Sequence, residues 1–250
     1  MRQIGLALHN YHGVYGTFPP GYTWPEGSGW SFHILPFLDK TNIYNTIGIT
    51  TPSNTASIWR TGNQEKSCAT FIDIFRCPSD IAPRHINNDS IKGRVPCNYT
   101  ACASGKRTTD DAKSAKGIGP EGLDGMFYRL SSVRFRDIYD GTSHTVGVGE
   151  VVIRMSHVDH WYIGSDDLGR VGTPDSTDAS EFLGSLGGDI NLFHDTSTAD
   201  RFELSFKSRH AAGCHLLLMD GAVRFHSERI DADLRRSLGI RSGREVPEEF

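Results

Sequence analysis

The chain has 250 residues, enough to bury a substantial core without staples, and its 26 Lys and Arg against 30 Asp and Glu leave a net charge of −4 and a pI near 6.2. That balance, with no dense Lys/Arg run, excludes a nucleic-acid binder and a polybasic membrane-surface protein. These residues hold no run of eighteen apolar side chains and no signal-peptide pattern, and 27 Gly beside 11 Pro point to many turns and short strands.

The opening MRQIGLALHNYHGVYGTFPPG predicts a helix over residues 1–16. Met1, Ile4, Leu8, Tyr11 and Tyr15 recur at gaps of three and four, so they form one packing stripe. Phe18-Pro19-Pro20-Gly21 ends the helix, because proline lacks a donor and pushes the residue before it out of the α region. At the start there is no Ser, Thr, Asp or Asn cap and no acidic first turn, so the orphan N–H groups have no evident partners. Next, Trp30 to Leu38 reads as a short apolar helix broken by Pro36, and Phe71 to Phe75 leads into Arg76-Cys77-Pro78-Ser79-Asp80. Residues 103–122 and 164–181 are polar and read as surface loops. Asp140-Gly141 marks a turn before a strand from Thr145 to Glu150.

The stretch CHLLLMDGAVRFH predicts a hairpin. With Asp220 and Gly221 as a two-residue loop, Leu218 faces Val223, Leu216 faces Phe225, and His215 falls beside His226. The expected architecture is α+β: the N-terminal helix packs on a mainly antiparallel sheet with long loop insertions. Residues 17–240 form the globular head and 241–250 a polar tail.

Several clusters invite chemistry. Cys68, Cys77, Cys97 and Cys102 match no zinc ribbon, so they form two disulfides in any of three pairings or stay free and buried; Cys214 reads as a core hydrophobe. His215 and His226 across the ladder are candidate metal ligands, but two ligands are not a site, and a polar sheet face is the plainer reading. Asp166 and Asp167, with Asp175 and Asp178, suit a hard cation such as calcium or simply a solvated acidic loop. His157, Asp159 and His160 form the densest titratable cluster. Trp24, Trp30, Trp59 and Trp161 are either core residues or a sugar-stacking platform. HExxH, the P-loop, GxSxG and a dinucleotide fingerprint are absent.

Taken in order, MRQIGLALHNYHGVYGTFPPG, FRCPSD, Asn98-Tyr99, IYDGTSHTVGVGE and SRHAAGCHLLLMDGAVRF resemble a large bacterial family of pilin-like proteins of unknown function. Its members carry a prepilin-type N-terminal cleavage and methylation signal and an H-x9-DG motif, which His210 and Asp220-Gly221 match here. The resemblance marks Cys77, Pro78, Asp80, Asp140, Gly141, Glu150, His210, Asp220 and Gly221 as structural motif residues. It implies a non-enzymatic, type II secretion pseudopilin-like subunit without a cofactor, whose helix continues upstream of Met1 as a membrane anchor. The head would then lie in the cell envelope, outside the cytoplasm and anchored to the inner membrane, with other pilin-like subunits or itself as partner. Two other classes compete: a cell-surface module that binds calcium or a glycan through its long loops, and a hydrolase built on His157, Asp159 and His160.

Overall fold

The computed structural model describes residues 1–23, 28–47, 66, 68–88, 91–109, 122–153, 179–193 and 203–243. The fold is α+β. Among the described residues its α-helices are α1 (Arg2–Tyr15), α2 (Trp30–His33), α3 (Thr41–Ile47) and α4 (Ala232–Leu238). Strands β1 (Ile86–Asn88) and β2 (Ile91–Arg94) pair with each other. The main sheet has the order β5-β3-β4-β6-β7, from β3 (Tyr99–Ser104), β4 (Val146–Glu150), β5 (Leu183–Ser185), β6 (Gly213–Leu218) and β7 (Val223–Ser227). Among the described strands of this sheet, β3 and β5 pair in parallel and the other neighbours are antiparallel.

Helix α1 lies along β6 and runs the same way. Met1 borders a cavity with His215 and Val223, a Cβ on Gly5 would lie 2.9 Å from Leu217 Cδ1, and His9 Nε2 reaches Met219 O at 2.8 Å. Four helical residues rise about 6 Å and two strand residues about 6.6 Å, so the two elements stay in step. Ile4, Ala7 and Leu8 are buried in this seat. Tyr15 departs from the expected stripe, being 60% exposed. A stripe at gaps of three and four drifts around a straight helix, and by the fourth turn Tyr15 has left the sheet; its ring leans on Tyr11, 4.4 Å away between centroids. Gly16, at φ 73°, closes the helix through its N–H to His12 O. No side chain caps the N-terminus at Met1.

Both faces of the sheet are covered. Leu217 and Val148 join α1, Trp30, Phe127 and Phe182 in one core. Leu216 and Leu218 point the other way, with Cys214, Val146, Phe206 and Leu238. A strand buried on both faces needs an unbroken apolar run, and Leu216-Leu217-Leu218 supplies it.

The hairpin departs from expectation by one residue. Leu218 N–H donates to Ala222 O (2.8 Å) and Gly221 N–H to Leu218 O (2.9 Å), so Met219, Asp220 and Gly221 form a three-residue loop. Gly221 sits at φ 88°, the position where such a bulged loop requires glycine. Both loop forms are consistent with Asp-Gly, and the longer one sets Val223 beside Leu217 on the face that α1 covers. His215 therefore faces Phe225, and Cys214 faces His226. The two histidines end on opposite faces of the sheet, and their proposed convergence on a metal fails.

Candidate functional site

At the end of β4 and the start of β6, motif segments far apart in sequence are bolted together by side chains. The centre is Asn98. Its Oδ1 accepts from Arg76 Nε (3.1 Å) and from the Cys77 N–H (3.1 Å), while its amide donates to Val151 O (2.9 Å) and to Asp80 Oδ2 (2.6 Å). Asp80 also accepts from the Ile153 N–H (3.1 Å) and, on its other oxygen, from Arg209 Nε (3.0 Å) and the Ala82 N–H (3.3 Å). Burial alone would raise the Asp80 carboxyl, but the bonds from Asn98, Ile153 and Arg209 outweigh it and hold the group below its ordinary value. This brace positions Cys77 through its own N–H, and positions the turn that carries His210 through its neighbour Arg209.

That turn is tight. Ser208 Oγ donates to Gly213 O (2.7 Å) and accepts from the His210 N–H (3.0 Å), with Ala212 at φ 63°. Its geometry brings His210 Nε2 to 3.3 Å from Glu150 Oε1 and 3.8 Å from Cys77 Sγ, and Cys77 Sγ to 3.6 Å from the same Oε1. Glu150 ends β4 opposite Tyr99 and is 4% exposed. Its other oxygen, Oε2, is held by His215, which donates its backbone N–H at 2.6 Å and places Nδ1 at 3.2 Å. Burial and the neighbouring Glu150 push the Cys77 thiol upward, against a smaller pull from bonding to the Ser79 backbone. A cavity of about 410 Å³ opens over the group, bordered also by Met1, Arg2, Pro78, Tyr99 and Val223.

The arrangement is not a nucleophile–base–acid relay. Such a relay places the nucleophile and the orienting acid on opposite ring nitrogens. Here the thiol and the carboxylate both approach Nε2, so the three donor atoms converge on one point instead.

The structure gathers some of the expected residues and scatters others. Cys77, Pro78, Asp80, Glu150 and His210 share this end of the sheet, with His215 acting on Glu150. Asp140, Gly141, Asp220 and Gly221 meet at the opposite end, where the Asp220 N–H donates to Thr142 O (3.1 Å) and the Met219 N–H to Thr145 O (2.9 Å). His210 and Asp220-Gly221 thus flank β6, and the nine residues between them contain that strand. Asp140 accepts from the Gly243 N–H (2.7 Å), and Arg241 bonds to Leu123 O and Gly125 O, which fastens residues 241–243 to the rest of the fold. His226 is buried on the far face, where burial, with Arg224 adding to it, lowers its basicity.

The five cysteines are free and buried, so the disulfide alternative is not realised. Burial pushes the Cys97 and Cys102 thiols up to about 12. Trp30 is a core residue, its indole N–H donating to Phe182 O at 3.0 Å. Asp166, Asp167, Asp175, Asp178, His157, Asp159, His160, Trp24, Trp59 and Trp161 lie outside the described residues. Sequence reasoning missed Arg76 and Arg209, and it took Asn98 as a motif letter without a role. The available signal was that each sits inside or beside a quoted motif.

The model of one protein family, described as "Protein of unknown function (DUF1559)", matches residues 1–233, and the chain belongs to that family. No curated protein and no solved structure matches it.

Proposed function

We propose that this DUF1559 protein is a non-enzymatic, pseudopilin-like head domain, carried on a membrane helix and assembled with other pilin-like subunits or with copies of itself. The seat of α1 on β6 carries the reading. In this reading α1, whose turns keep step with β6, is the lower part of a longer rod. In this reading a prepilin-type signal and an apolar half-helix precede α1. His210 and Asp220-Gly221 are the family's C-terminal motif and serve to fix the two ends of β6. Leu6, on the side of α1 turned away from β6 and more than half exposed, is available there for contact with a neighbouring subunit. No helix among the described residues is long and apolar enough to cross a membrane.

The test is fractionation of the native cells, probed with an antibody raised against the head. The protein is expected in the inner-membrane fraction, resistant to a high-salt wash and released by detergent. Recovery of all of it from the cytosol overturns the proposal.

A further inference from the structure

We propose that Cys77, Glu150 and His210 form a binding site for one thiophilic divalent cation, zinc in class, with an open coordination position facing the cavity beside Met1. The inference goes beyond the pilin-like reading and stands or falls separately from it.

Three observations carry it. The first is convergence: one ligand atom from each residue lies within 4.8 Å of the other two. With Zn–S near 2.3 Å and Zn–N and Zn–O near 2.0–2.2 Å, the edges of a tetrahedral site come to roughly 3.5 Å for sulfur to nitrogen or oxygen, and roughly 3.3 Å for nitrogen to oxygen. The distances here are 3.8 Å, 3.6 Å and 3.3 Å. A small closure of the Cys77 side chain completes the geometry.

The second is orientation. His215 occupies Glu150 Oε2 with two donors and leaves Oε1 turned toward the thiol and the imidazole. A carboxylate whose outer oxygen is fixed in this way is a positioned ligand, and such supporting bonds are what make a metal site specific. Cys77 is placed likewise by Asn98, and His210 by the Ser208 turn.

The third is the donor set. One thiolate, one imidazole and one carboxylate suit zinc and its neighbours, not calcium or magnesium, which take oxygen ligands. Three protein ligands beside an open cavity match the pattern of sites that keep a position for water or a small ligand. Binding requires that the Cys77 thiol give its proton to solvent, that Glu150 bind as carboxylate, and that His210 bind through neutral Nε2 with its proton on Nδ1.

The probe is Co²⁺ added to the purified, reduced chain, because a thiolate-to-cobalt charge-transfer band reports sulfur coordination directly and ignores other histidines on the surface. One equivalent is expected to develop that band, and Zn²⁺ to bleach it. Cys77→Ala is expected to abolish it, His210→Ala to weaken binding by roughly a hundredfold, and Cys214→Ala, on the far face, to leave it intact. His210 lies in a surface turn and its side chain is 28% exposed, so that variant keeps the fold, which circular dichroism checks. Absence of the band in the parent chain, its survival in Cys77→Ala, or unchanged affinity in His210→Ala overturns the site.

Discussion

The two ends of β6 are held in opposite ways. At the Asp220-Gly221 end, turns dock mainly through backbone groups: Asp220 N–H to Thr142 O, Met219 N–H to Thr145 O and Gly221 N–H to Leu218 O, with the His9 ring on Met219 O. At the His210 end the fastening is done by side chains, with Asp80, Asn98, Glu150 and Arg209 each bonding to segments many residues away. Backbone docking tolerates many residue types as long as the φ values are met, whereas side-chain fastening fails when one group is removed and its buried partners are stranded. Substitutions should therefore cost more at the second end than at the first.

The largest effect is expected for Asp80→Ala. It leaves one N–H of the Asn98 amide, whose other stays on Val151 O, and the Ile153 N–H without an acceptor in a buried site, a loss of about 3 kcal/mol, read as a lower urea midpoint at unchanged slope. The same group sets a pH dependence. Its folded carboxyl is held below the ordinary value of 3.8, so its contribution is complete above that value and is lost as pH falls through the folded one. The gap between the parent chain and Asp80→Ala should then narrow below about pH 4; a gap that stays constant down to acid unfolding would remove the charge from the account.

At the other end, Gly221→Ala forces a side chain onto φ 88° and should cost roughly 1–2 kcal/mol. Asp220→Ala removes only an exposed bond to the Ala222 N–H, at 2.8 Å, and should cost about 0.5 kcal/mol. Combining Asp80→Ala with Gly221→Ala sharpens the contrast. The two sites share no partner, so their costs should add within about 0.5 kcal/mol, and a larger coupling would show that β6 transmits strain from end to end.

The same contrast explains what can be read from the letters alone. Asp220-Gly221 announces its hairpin because turn preference resides in the two residues themselves. Even so, the register depends on whether Val223 or Arg224 stands beside Leu217 on the face under α1, and only packing decides that. Ile4 and Leu8 are identifiable from helical spacing, but Tyr15 is not separable from them, since spacing carries no information about where the sheet stops. The Cys77, Glu150 and His210 group is invisible in local pattern, because Cys77 and His210 stand 133 residues apart. Their motifs mark positions, and nothing in either motif says that they meet. His215 was visible as a candidate ligand, yet the partner suggested for it, His226, depended on the wrong loop length.

The matched pitch of α1 and β6 has a mechanical consequence. Met1 beside His215, Gly5 with Leu217 and His9 with Met219 form rungs of similar spacing between two rods pointing the same way. A pull on α1 along its axis loads all of these rungs together, as in a lap joint, so that helix and sheet part by shear instead of peeling away contact by contact.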